Sequence, residues 1–304
     1  MKKLVLVLLA CAALAQNSIV NAVRARIAQH DIAGAESLAR AYQAQVGAQP
    51  QLAAAYSWLA RAVLAENKLD QADAFADQAA QMTASFLNAR KLDADPWLPT
   101  AQGAAIEVHA QVLVARGRRS EAVQYLEEQA KHWAATSLGE RIHKNINLIS
   151  LEGKRAPELE VAQSIGERAP TLASLRGHPV LLFFWAHWCG DCKGMVADVA
   201  KIRQTLGPKG LVVIGPTRLY GYVAGGEDAP VEKERAYIEQ VRAKNYAALS
   251  GMPIPLSSSN FVTYGASTTP TVVLIDRAGV VRYYHPGAAS ETELTAKIRP
   301  LLGR

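Results

Sequence analysis

The sequence predicts two domains of different class: all-α helical hairpins up to residue 150, then an α/β domain over 151–304. Three observations carry this. From Ser18 to about Ile149 the chain is Ala-rich, with apolar residues at helical spacing and few β-branched clusters. After Glu152-Gly153-Lys154-Arg155-Ala156-Pro157 the texture changes to continuous apolar runs separated by helical patterns. A length of 304 residues also suits two domains of about 150 residues each. Half the residues are hydrophobic and a fifth are charged, which fits packed globular domains and argues against wholesale disorder. The +6 formal charge is scattered, with no run of five or more Lys/Arg, so nothing points to nucleic acid.

Residues 1–15 read as an export signal. Met1-Lys2-Lys3 is positive, Leu4 to Ala13 is apolar, and Ala13-Leu14-Ala15 gives the small-x-small pattern of a cleavage site. Ten apolar residues are too few to span a bilayer, which needs about 20. The mature chain would start at Gln16 and act in the periplasm or cell envelope. Leu8-Leu9-Ala10-Cys11 also resembles a lipoprotein box, so a lipid anchor on Cys11 is the alternative. Losing Lys2 and Lys3 lowers the charge from +6 to +4. Losing Cys11 as well leaves only Cys189 and Cys192, which have no other protein sulfur to bond.

Over 16–150 three segments share a shape: an apolar helix, a short polar break, and a second helix with small residues every three or four positions. The clearest runs through Tyr56, Leu59, Val63, the break at Asn67, then Ala72, Ala76 and Ala79. A weaker copy uses Ile32, Ala35, Ala39 and Tyr42. Another uses Ile106, Ala110, Leu113, Gly117, Ala122 and Leu126. This pattern resembles tetratricopeptide repeats, in which small residues let antiparallel helices approach closely. Asp95-Pro96-Trp97-Leu98-Pro99 must interrupt any helix. Such a domain implies either a surface for a protein partner or a packed cap or dimerisation module.

Over 151–304 the runs Val180–Trp185, 211–214 and 271–275 read as buried strands, with helical patterns at about 189–206 and 231–248. Asp276-Arg277-Ala278-Gly279 reads as a turn into a hairpin partner at 280–284. Ser290 and Glu293 suit a capping box for the last helix. Gly215–Tyr222 should emerge at the end of the sheet that bears a site, as a surface loop or as a substrate-selecting one with its two tyrosines. Met252-Pro253-Ile254-Pro255 reads as a connector, and Gly225-Gly226 matches no phosphate-binding motif.

The chemistry sits where the first strand meets its helix, at Trp188-Cys189-Gly190-Asp191-Cys192. Positions i and i+3 share a helix face, so two sulfurs there can meet across one turn. The first Cys occupies the helix N-terminus, where free N–H groups and the dipole favour a thiolate. A thiolate attacks disulfides and a second thiol resolves the mixed intermediate. That makes Cys189 the nucleophile and Cys192 the resolving group.

The segment Phe184-Trp185-Ala186-His187-Trp188-Cys189-Gly190-Asp191-Cys192 resembles the thioredoxin active site. Ala156-Pro157, Leu175-Arg176-Gly177-His178-Pro179, Tyr264-Gly265 and Thr269-Pro270-Thr271 before Val272–Asp276 extend the likeness to exported TlpA/ResA-like thiol–disulfide oxidoreductases. It covers about 153–304. It implies a thioredoxin fold, a cis-proline at Pro270 facing the cysteines, a Thr269 backbone that pairs with substrate, and a substrate-facing Trp188. Three positions depart from the family: Phe183 stands for the buried acid, Met195 for a Glu three residues after the second Cys, and Asp191 for a Pro. Asp191 is therefore the nearest proton-handling candidate. Its negative charge should raise the Cys189 pKa and favour electron donation. Gly190 and His187 complete the tuning set, although an exposed His there would simply be solvated.

Three competing roles for the cysteine pair fit less well. A structural disulfide closing four residues stabilises by only roughly 2 kcal/mol. Zinc would need two more ligands, and among seven histidines only His187 is near. A peroxidatic Cys lacks its Pro-x-x-x-Thr-x-x-Cys run. The expected activity is reduction of envelope protein disulfides, without metal or cofactor, fed by a membrane electron donor. Disulfide oxidation or isomerisation, and a redox-sensing scaffold, are the alternatives.

Overall fold

A computed structural model describes residues 18–303. The export signal and Cys11 lie outside the described residues. Two compact units divide between Ile142 and His143. Among the described residues no helix is long and apolar enough to cross a membrane.

The first unit is all helical: α1 (Ile19–Ala28), α2 (Ile32–Val46), α3 (Pro50–Ala65), α4 (Leu69–Leu87), α5 (Leu98–Ala115) and α6 (Arg119–His132). A further helix, α7 (Gly139–Ser150), contains the division point. The breaks expected at Asn67 and Gly117 are the turns α3–α4 and α5–α6, and the turn α1–α2 is built like them. His30, Asn67 and Gly117 each take a left-handed φ. The next N–H then closes a six-to-one bond: Asp31 to Arg26 O, Lys68 to Val63 O, and Arg118 to Leu113 O, at 2.9–3.0 Å. Ala72, Ala76 and Ala79 are buried, so α4 packs closely on α3 and α5, and the buried Ala35 and Ala39 let α2 pack on α1 and α3. Pro99 sits in the first turn of α5, where its missing N–H costs nothing.

The second unit holds strands β1 (Ser164–Ile165), β2 (Val180–Phe184), β3 (Val212–Ile214), β4 (Ile254–Pro255), β5 (Thr271–Ile275) and β6 (Val281–Pro286). Four form a sheet in the order β3-β2-β5-β6, with β3 parallel to β2 and the other two neighbouring pairs antiparallel. Every residue of β2 is buried, because alternate side chains enter different cores. Leu181 and Phe183 join one core with Val272, Leu274 and the helices α9 (Val196–Leu206), α10 (Val231–Asn245) and α12 (Glu291–Ile298). Val180, Leu182 and Phe184 join the other, with Phe261 and Tyr264 of α11 (Ser258–Tyr264). The short helix α8 (Gly190–Gly194) precedes α9.

Two details differ from the sequence reading. Ile254–Pro255 is not a plain connector: it pairs antiparallel with Ser164–Ile165 in a two-residue ladder. The sequence places the domain boundary after residue 150, whereas the compact units separate within α7. The cause is local. Leu151 belongs to the second unit's core, Asn147 donates its side-chain N–H to Thr263 O, and Glu152 accepts from Tyr284 N–H.

Two glycines with positive φ separate steric from conformational demand. At Gly117 (φ 76°) a Cβ would meet open space. At Gly265 (φ 60°) it would stand 2.3 Å from the Lys144 backbone N. Gly117→Ala should cost about 1 kcal/mol, and Gly265→Ala roughly 3 kcal/mol or more because backbone must move. Urea denaturation of the two variants checks the ranking, and equal losses would refute it.

Candidate functional site

The site is built at the C-terminal end of β2. Trp185 leaves the strand with its N–H on Pro216 O (3.1 Å), its carbonyl on the Thr217 hydroxyl (2.9 Å) and its indole N–H on Gly215 O (2.9 Å). Its ring packs 4.4 Å from Tyr246. This fixes where the chain turns into α8.

Cys189 caps that helix, and its Sγ accepts the Cys192 N–H at 3.0 Å. The two sulfurs are bonded across the first turn, with Cα atoms 5.3 Å apart. Cys189 is 3% exposed and Cys192 is wholly buried in the core that also holds Phe183 and Met195. The Thr269–Pro270 bond is cis, and Thr269 O lies 3.4 Å from Cys189 Sγ. Trp188 is 49% exposed beside the disulfide, and its indole meets Tyr220 edge-on at 5.5 Å. Cys189, Cys192, Trp188, Thr269 and Pro270 therefore come together. Gly190 is exposed, with open space where a Cβ would stand, so packing does not demand it.

Asp191 is exposed on the first turn of α8. Water screens its charge, which weakens its hold on the sulfur. The buried acid near this end of the sheet is instead Glu234 on α10, 1% exposed. Its Oε1 accepts the Tyr220 N–H (2.6 Å), and its Oε2 accepts the Gly221 N–H (2.8 Å). The third partner is His187, whose Nε2 lies 3.2 Å from Oε1.

His187 overturns its expectation. It is not solvated but 1% exposed, ringed edge-on by Tyr220, Tyr222 and Tyr237 at 5.3–5.5 Å. Burial pushes its pKa down, Glu234 opposes that, and Lys193 adds to it. A neutral ring donating Nε2–H to Glu234 satisfies one nitrogen, while Nδ1 is buried without a hydrogen bond among the described residues. The Gly215–Tyr222 loop is likewise more than surface, since its tyrosines enclose this pair.

Glu234 was missed from the sequence. It lines up with Ile238 and Val241, at i, i+4 and i+7, so the inward face of α10 was readable. Among the described residues, no group of three or more His, Cys, Asp or Glu side chains is placed to hold a metal ion.

The buried histidine has a consequence for pH. Its folded-state pKa lies below the unfolded value of 6.5, so the unfolded chain binds the extra proton first. Stability is therefore full above about 6.5 and lost as pH falls below it, by at most about 1.4 kcal/mol per pH unit. His187→Gln, which keeps an N–H donor for Glu234, should flatten that slope between pH 7 and 5.5. Hydrogen-exchange protection of the β2 amides, corrected for intrinsic exchange rates, measures it; parallel slopes would count against the assignment.

Comparisons with known proteins fall on the second unit. The family model described as a thioredoxin-like domain matches residues 167–301. A thioredoxin-like protein of Bacillus subtilis, YneN, is 26% identical over 148 residues, covering 48% of this chain and 78% of that one. A thiol:disulfide interchange protein DsbE of Xylella fastidiosa is 29% identical over 128 residues, covering 42% and 57%. A crystal structure of a thiol:disulfide interchange protein from Chlorobium tepidum covers 49% of this chain and 97% of its own, at 17% identity and a TM-score of 0.40. The second unit is a thioredoxin-like domain with relatives among the thiol:disulfide interchange proteins.

Proposed function

We propose that this protein reduces protein disulfides through Cys189 and Cys192 in the cell envelope. The observation that carries the reading is the sulfur pair at the start of α8, with Thr269 O 3.4 Å from Cys189 Sγ. In the reduced state the Cys189 thiolate attacks one sulfur of a substrate cystine. The other substrate sulfur leaves as a thiolate and takes a proton. Cys192, on losing its proton, attacks Cys189 Sγ, and the substrate's first sulfur departs as the second thiol. Two electrons have then passed to substrate, and the Cys189–Cys192 disulfide remains. A dithiol donor at the membrane returns the pair to the reduced form.

The Cys192 N–H aimed at Cys189 Sγ and the dipole of α8 supply the charge stabilisation that a thiolate needs. Trp188 and the Thr269 carbonyl are the groups placed to meet an extended substrate segment. The Lys2-Lys3 start, the apolar stretch after it and Ala13-Leu14-Ala15 support export. The stacked hairpins of the first unit are read as the surface that recruits a protein partner.

Cys189→Ser should lower insulin reduction, run with dithiothreitol as donor, by about 100-fold or more. Cys192→Ser should instead accumulate a mixed disulfide on Cys189, visible on non-reducing gels. If the wild type lacks turnover while Cys189 is intact, a redox-sensing scaffold becomes the better reading.

The reducing direction rests on Asp191. A lone exposed charge about one turn away contributes roughly 0.5–1 kcal/mol, or about 10–20 mV for a two-electron couple. Asp191→Pro should make the potential less negative by that amount in a glutathione equilibration. An unchanged or more negative value would favour oxidation or isomerisation.

A further inference from the structure

Glu234 takes no part in the exchange steps above, yet its surroundings are unusual. A buried carboxylate is costly unless its lone pairs are used. Here both oxygens are used, and the donors come from two separate segments. One is the turn Tyr220–Gly221, whose successive N–H groups straddle the carboxylate at 2.6 and 2.8 Å. The other is His187, the residue directly before Trp188-Cys189, at 3.2 Å. Gly221 takes φ 85°, a conformation that lets consecutive N–H groups point the same way.

The side chains of those segments meet outside the carboxylate. The Tyr220 ring stands edge-on to both His187 and Trp188 at 5.5 Å. Behind it the Arg218 guanidinium lies 5.0 Å over Tyr220 and 4.8 Å over Phe261. Tyr220 is thus fixed from three sides, and the half-exposed Trp188 rests on it beside the sulfurs.

We propose that Glu234 is a positioning residue for substrate recognition. By tying the Tyr220–Gly221 turn to His187, it holds Tyr220 against Trp188, so the indole presents a fixed apolar face next to Cys189. The substrates this face selects are protein segments that carry an aromatic or aliphatic side chain beside their cystine. The inference rests on the disulfide-exchange reading for the identity of the attacking sulfur. It does not need the direction of electron flow.

Two variants test it. Glu234→Gln keeps one carbonyl oxygen but turns an N–H2 toward the turn's own donors. Tyr220→Leu keeps the backbone bond to Glu234 and removes only the aromatic edge. For insulin, each should raise KM about tenfold with kcat within twofold. The rate at which reduced protein attacks the small aromatic disulfide 5,5′-dithiobis(2-nitrobenzoate) should stay within twofold. KM values within twofold of wild type in both variants would overturn the proposal. So would parallel losses on both disulfides, since those mark general damage to the domain.

A readout without turnover separates this from the underlying reading. With fluorotryptophan labelling, Trp188 (identified by its absence in Trp188→Phe) should give one sharp 19F resonance in the wild type. It should broaden or split in Glu234→Gln; an unaltered line removes the positioning role. If instead the wild type fails to turn over insulin while its Trp188 line still depends on Glu234, it is the disulfide-exchange reading that falls.

Discussion

Strand β2 has no face toward water, and the second unit is organised around that constraint. Its odd-numbered side chains enter one core and its even-numbered ones the other. A one-residue slip would exchange the two sets, so the register against β3 and β5 is strongly specified. The end of the strand is therefore a fixed point, and Trp185 locks the next residues with backbone and indole hydrogen bonds. A helix that begins there inherits the precision of the sheet. That precision holds the Cys192 N–H 3.0 Å from Cys189 Sγ.

The electrostatics around the sulfurs divide between an outside and an inside charge. Asp191 is near in sequence but open to water, so its influence is small and depends on salt. Glu234 is distant in sequence but enclosed, and its three donors hold it as part of the scaffold. Phe183 and Met195 are both packed among apolar side chains in the core that holds Cys192. The inner side of the cysteine pair is thus dry.

Much of this was legible in the sequence, for identifiable reasons. Continuous apolar runs such as 180–185 and 271–275 have one physical solution, a strand covered on both sides. The small-residue spacing of Ala72, Ala76 and Ala79 marked a close helix pair, and the breaks at Asn67 and Gly117 fell where left-handed turns occur. What stayed hidden needed information from far along the chain. His187 and Glu234 lie 47 residues apart, and an isolated histidine gives no local sign that three tyrosines will enclose it. A two-residue ladder such as 164–165 with 254–255 has no periodicity to read. The boundary moved because helix α7 is a single element whose residues near Asn147 and Leu151 serve the second unit.

That helix also governs how the second unit is to be isolated. Severing the chain between Ile142 and His143, where the compact units part, would delete the opening turn of α7, Glu140 included. The amide N–H groups of residues 144–146 would be left without carbonyl partners, His143 would become the amine terminus, and the acidic side chain that complements the helix's positive end would be gone. A cut placed ahead of Gly139 preserves both.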